Sequence, residues 1–413
     1  MSEAFRAFRS RNFRLFFAGQ ALSLLGTWMQ KTAVSWVVYA QTHSKVMLGV
    51  SVFATLFPSA VFSLLGGVVS DRYSRYRVLL LTQILSMAQA VLLALAVFWQ
   101  RDGVAAIIGL SAVLGIINAF DVPARQSLVY DLVDNKEDVP NAVALNSTML
   151  NLSKLLGPAV AGLAIERLGA AACFGLNAVS FVAVIGSLLA LRLPAYVAQP
   201  HPQAILAELA DGFRYVRDTP GIRFIISTLG LMALLVLPFT ALMPVYAKDI
   251  FAGTATTFGL LDGAIGLGGF GAALYLTSLP PSASLRRVMT VNTFVLGVGL
   301  LLFAYTPWLG LALAFLVVGA FGMMAQTTIN VTLLQTTVLP AMRGRVISLY
   351  VLVYTSALPL GSLLVGAAAA RIGVRTTVLA EGFLALLIGL LYLRDLRQSQ
   401  VAEPAAPALV AGH

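Results

Sequence analysis

The stretch "GGVVSDRYSRYR", residues 66–77, joins two long apolar runs, 46–69 and 78–100. Its paired glycines leave a helix face smooth enough for another helix to approach closely. One carboxylate, Asp71, and three guanidiniums, Arg72, Arg75 and Arg77, follow at once. Hydrocarbon expels such a charge cluster, so the segment reads as a surface turn between two membrane-crossing helices.

The same grammar recurs along the chain. Of 413 residues, 59% are hydrophobic and 11% charged, with a mean hydropathy of +0.88. A chain of that composition folds in lipid. Its apolar runs are about 20 residues long, as a helix crossing the bilayer requires, whereas a membrane β-barrel would alternate in short segments. The spacing predicts an all-α chain with spans at 14–40, 46–69, 78–100, 104–124, 141–165, 170–191, 222–246, 256–279, 288–305, 309–333, 346–370 and 374–393. An even number puts both ends on one side. Most of the Lys and Arg fall on that side, which the positive-inside rule identifies as the cytoplasm, so a bacterial inner membrane with both termini inside is expected. The net charge of +10 therefore sets topology and does not indicate a nucleic-acid partner. The N-terminus reads as a retained first helix, with no cleavage site.

The connection 192–221 divides the spans six and six: a bundle at 1–191, a linker, a bundle at 222–393 and a disordered tail at 394–413. Within the linker, "AILAELADGFRYVRD" spaces Ile205, Leu209, Phe213 and Val216 as one apolar face. That pattern suits an amphipathic helix on the membrane surface or a solvated linker helix. "GLAIERLG" (162–169) and "GAAAARIG" (366–373) run from glycine to arginine to glycine at matching offsets, each closing the fifth span of its half. Parallel repeats of this kind belong to transporters whose halves rock about a central site.

Gly67, Asp71, Arg72 and Arg75 resemble the Gly-x-x-x-Asp-Arg-x-Gly-Arg loop of the major facilitator superfamily, with Ser74 in place of the second glycine. The resemblance implies two pseudo-symmetric six-helix bundles. It also implies that these four residues form a conformational latch, which in that superfamily ties the halves together in the outward-facing state. "NAFDVPARQSLVYDLV" (118–133), "PNAVALNSTMLNLSKLLGPAVAG" (140–162) and "QTTVLPAMRGRVISLYVLVYTSALPLGSLLVG" (335–366) are similar to the branch of enterobactin exporters and macrolide-efflux pumps. Gly157, Pro158 and Gly162 are similar to the fifth-helix signature of drug and proton antiporters in the superfamily, and a proline that removes a backbone donor beside small residues suggests a hinge.

Charges inside the spans point to the site. Gln20, Ser23, Thr27, Lys31 and Ser35 share one helical stripe, and Ser147, Asn151, Lys154, Pro158 and Gly162 share another. A charge near the bilayer centre costs about 2.5–3.5 kcal/mol, so two lysines call for a wet cavity or partners. Snorkelling to the outer interface is the competing reading for Lys31. By the resemblance, both helices border a central cavity. Lys31, Thr27, Gln20, Lys154, Asn151, Trp28, Tyr350 and Tyr354 are therefore its candidate lining, with Tyr246 as a further aromatic. Asp262, on a face of small residues, and Glu381 are the candidate coupling groups. Asp121 is expected to pair with Arg125 one helical turn on.

No Gly-Lys pair occurs, so the chain has no phosphate-binding loop. No spanning segment carries a histidine, and His43, His201, His413 and the lone Cys173 form no metal cluster. Neither an enzyme nor a bound cofactor or metal is expected. The residues and the resemblance together predict a monomeric secondary transporter that exports a small amphipathic anion or catechol, siderophore-like or drug-like, by alternating access with proton antiport. An importer or lysolipid flippase of the same fold, or a non-transporting sensor, are the alternatives.

Overall fold

The computed structural model describes residues 3–99, 103–193 and 205–402. Helices α1 (Arg11–Thr42), α2 (Lys45–Arg72), α3 (Arg75–Phe98), α4 (Val104–Leu128), α5 (Val139–Leu168) and α6 (Ala170–Leu189) form the first half. Helix α7 (Ile205–Asp218) follows the linker. The second half holds α8 (Pro220–Leu235), α9 (Met243–Val245), α10 (Ala255–Thr277), α11 (Leu285–Tyr305), α12 (Leu309–Thr337), α13 (Arg343–Ile372) and α14 (Val374–Ala402). Pro238 and Pro244 cannot donate backbone hydrogen bonds, and there the helix begun by α8 continues as a 3-10 turn, α9 and a π turn to Ile250. Among the described residues, eleven stretches are long and apolar enough to cross a membrane, the one from Pro220 to Ile250 counted as one. Although α1 has 32 residues, it is not among them, because Gln20, Gln30, Lys31 and its hydroxyls lower its apolarity. It packs on α5 and α6, where the sequence places the first of the twelve expected spans.

The two halves repeat one packing plan: α2 on α4, α3 on α6 and α1 on α5 answer to α10 on α12, α11 on α14 and α8 on α13. The repeat is visible even in single glycines. Gly169 and Gly373 end α5 and α13 with φ of 82° and 88°, a left-handed backbone that glycine adopts without penalty. Gly162 packs on Ala255 and Gly259 across one seam, and Gly366 packs on Lys45 and Gly49 across the other.

Those seams, α5 with α10 and α2 with α13, join the halves, and their close approaches lie toward the face opposite the termini, called here the far face. At the terminus face the ion pairs stay within single halves or the linker: Arg6–Asp138 (3.2 Å), Arg75–Asp131 (3.2 Å), Arg286–Asp395 (2.8 Å) and Arg345–Asp211 (3.5 Å). Among the described residues, the close approaches that join the halves thus gather toward the far face. Helix α7 lies against α13, with Gly212 on Arg345 and Leu349. The linker segment 194–204 and the tail beyond Ala402 lie outside the described residues. Helix α14 itself continues past the expected span end at 393.

Candidate functional site

Beside the seam between the halves, two lysines share one aromatic ring. Lys31 Nζ lies 4.6 Å from the centroid of the Trp28 ring and Lys154 Nζ lies 5.9 Å from it. Both distances are within the roughly 6 Å range of cation–π attraction. Gly157 makes this possible, since a Cβ there would strike Trp28. Lys31 sits mid-helix and is exposed as a residue, with its ammonium against the Trp28 ring. Asp262 of α10 is half-buried and attracts both ammoniums, while the ammoniums repel each other.

Tight backbone packing brings α10 to the lysines. Gly259 meets the Pro158 carbonyl, and Gly266 meets Leu155 and the Lys154 carbonyl. Because Pro158 has no N–H to offer that carbonyl, the seam runs through the point where α5 lacks a helical bond. Helix α5 nonetheless stays continuous through the proline.

Toward the far face the site is closed in layers. Trp36 stacks on Phe258 with ring centroids 6.2 Å apart. One turn beyond, the Tyr39 hydroxyl donates a short hydrogen bond to the Asp249 carboxylate. Thr254 (2.8 Å) and Thr256 donate to Glu166, and Ser362 donates to the Gly49 carbonyl at 3.2 Å. Every one of these contacts links the two halves. A hydrogen bond to a charged group is worth about 1.5–3 kcal/mol. Tyr39→Phe should therefore shift the balance between far-closed and far-open forms about tenfold or more toward the open one. Cysteine accessibility checks this cleanly, because the single native cysteine, Cys173, is buried.

A profile of transmembrane secretion effectors matches residues 2–408. The chain belongs to the transmembrane secretion effector family. This secretion effector is 27% identical to the staphyloferrin A transporter of Staphylococcus aureus, over 92% of this chain and 95% of that one. It is 28% identical to the enterobactin exporter of Escherichia coli, over 96% and 95%, and 24% identical to macrolide efflux protein A of Streptococcus pyogenes, over 92% and 94%. Its fold matches a nucleoside transporter (TM-score 0.75, 14% identity, 93% of this chain and 98% of that one). It also matches a bacterial homologue of the iron transporter ferroportin in the inward-facing state (0.70, 16%, 93% and 98%). The secretion effector is a membrane transporter of the major facilitator type, not an enzyme.

Within the secretion effector, the expected lining divides. Thr27 is half-buried and donates to the Ser23 carbonyl at 2.8 Å. Asn151 is also half-buried and donates to the Ser147 carbonyl at 3.0 Å. Gln20 and Ser23 are each 2% exposed, so that end of the stripe faces the interior of the first half. Tyr350 and Tyr354 stack at 6.5 Å on α13, and Tyr350 is buried, its hydroxyl directed at the Thr327 carbonyl. Tyr246 is fully buried against Phe303, a core residue and not a cavity one. Glu381 is 2% exposed, with no hydrogen-bond partner for either oxygen, and lies apart from the lysines on α14.

At the latch loop, Gly66 rather than Gly67 makes the close approach, against the Ala119 carbonyl; a Cβ at Gly67 would meet nothing. The turn needs no second glycine, since Ser74 has φ −58°. Arg72 is exposed and Arg75 is paired with Asp131; the Asp71 side chain lies outside the described ones. Asp121 pairs with Arg125 at 3.2 Å as expected and also accepts from Thr82 (2.9 Å) and Gln83 (2.6 Å). Two features were not anticipated: the gate pairs and the Gln89–Gln30–Asn177 chain that crosses the first half. Buried amides on α1, α3 and α6 were the available signal for the chain.

Proposed function

We propose that this transporter exports a small amphipathic anion across the bacterial inner membrane by alternating access, with both termini in the cytoplasm. The carrying observation is the pair of ammoniums 4.6 and 5.9 Å from the centroid of the one Trp28 ring. An anion gains from both charges and its flat or apolar part gains from the indole, whereas a cation meets repulsion. The clustering of Arg72, Arg75, Arg77, Arg286, Arg287, Arg343 and Arg345 at the terminus face supports the orientation. Staphyloferrin A and enterobactin, in the names of the relatives, support a siderophore-like substrate. Protons are the proposed coupling ion, with Asp262 as the group that carries them.

Purified protein screened by thermal shift against carboxylates, catecholates and organic cations tests the charge preference, since ligands that bind the folded state raise Tm. Uptake into inside-out vesicles tests the direction. Stabilisation by cations alone, or flux only into right-side-out vesicles, overturns the proposal.

A further inference from the structure

Three opposed charges reach the site from three helices: Lys31 on α1, Lys154 on α5 and Asp262 on α10. Among the described residues no ion pair within 4.0 Å closes between Asp262 and either lysine. The ammoniums rest on the indole instead, which leaves their donors for a ligand. Among the described residues, only the two lysines are charges acting on Asp262. Helix α12, packed on α10, has no ionisable residue. On the 243–250 segment, Asp249 holds Tyr39 and Tyr246 bonds the Ala304 carbonyl, while Lys248 is not among the charges acting on Asp262. On α5, Glu166 is held by Thr254 and Thr256 at the far face, beside Arg167. On α1, Arg11 and Arg14 lie at the terminus end and Tyr39 at the far end.

We propose that a substrate anion and a proton load this site together, the anion on Lys31 and Lys154 and the proton on Asp262, so that membrane potential and not proton exchange drives export. This rests on the anionic-substrate reading above and fixes the sense of its coupling. An anion settling between the ammoniums draws on the attraction that supports the Asp262 charge, and it adds a like charge beside it. A proton on Asp262 relieves both effects. By reciprocity, protonated Asp262 releases both lysines to the anion. Antiport needs the opposite sign, with the proton leaving as substrate arrives. A cationic substrate would produce that at Asp262; an anionic one opposes it. The interior-negative potential pushes an anion outward. A substrate with two or more negative charges stays net negative after taking one proton, so its accumulation ratio changes tenfold for every ~59 mV per net charge moved.

The test uses the purified full chain with citrate, a tricarboxylate, and 2,3-dihydroxybenzoate, a catechol carboxylate, titrated by calorimetry in two buffers of different ionisation heat. Wild type is expected to take up about one proton per anion bound. Asp262→Asn should keep the binding and lose the uptake, and the wild-type sign decides alone if that variant does not fold. In proteoliposomes, citrate flux should follow an imposed potassium diffusion potential and persist with no pH gradient. Proton release on binding, buffer-independent heat in wild type, or anion flux driven toward the acidic side by a pH gradient at zero potential overturns the proposal. If Lys31→Ala and Lys154→Ala lose the anion while wild type releases protons, the coupling sense falls and the anionic site stands. If neither probe binds wild type, both fall.

Discussion

Combining Lys31→Ala with Lys154→Ala is expected to abolish anion-dependent thermal stabilisation and to reduce export to background. Each ammonium offers a charge-assisted contact worth about 1.5–3 kcal/mol, so losing both weakens binding by about a hundredfold or more. Because the two share Trp28, the single variants should not add to the double. Lys31→Arg keeps the charge and should retain most of the binding. Normal yield and an unchanged unliganded Tm would place the loss in the site rather than in the fold. A double variant that exports at the wild-type rate would remove the lysines from the substrate path.

A wedge in the seam should have an effect of similar size by another route. At Gly259 a side chain would press on the Pro158 carbonyl, and at Gly162 on Ala255 and Gly259. Overpacking costs about 1–3 kcal/mol, and here the cost applies only to the form in which the far face is shut. Gly259→Leu is therefore expected to move the population toward the far-open form by about tenfold to a hundredfold and to stall the cycle. A reporter cysteine at Ser35, one turn beyond Lys31, should become labelled from the far side by a membrane-impermeant maleimide. Gly175, with nothing near it, supplies the control position for the same substitution. Unchanged labelling together with normal transport would show that the seam is not the moving joint.

The spans were legible because hydrocarbon imposes one rule on every crossing, and the single weak case, α1, is the one that carries the site. Twin glycines at 169 and 373 were legible as a repeat, and their matching φ values show why: each ends a helix at the far face in the same left-handed turn. Lys31 and Lys154 could be placed on polar stripes, but helical spacing gives a direction around one axis and not the partner beyond it. For that reason Gln20 looked equivalent to Lys31 although it turns into the first half, and Tyr246 looked available although Phe303 and the Ala304 carbonyl enclose it. The gate pairs, Tyr39 with Asp249 and Glu166 with Thr254 and Thr256, join residues distant in sequence across a joint that only the assembled halves create. No local pattern encodes such a pairing.

The modest apolarity of α1 has a consequence for synthesis. A segment carrying Lys31, Gln20 and Gln30 is a poor substrate for partition from the insertion channel into lipid, and the helices that shelter it, α5 and α6, are made later. Until they arrive, α1 has to be retained by the insertion machinery or by a membrane chaperone. In chains truncated before α5, a reporter cysteine on α1 should react with a membrane-impermeant maleimide, whereas in chains truncated after α6 it should be protected. The polar face of α1 thus makes biogenesis of the first half an all-or-none event.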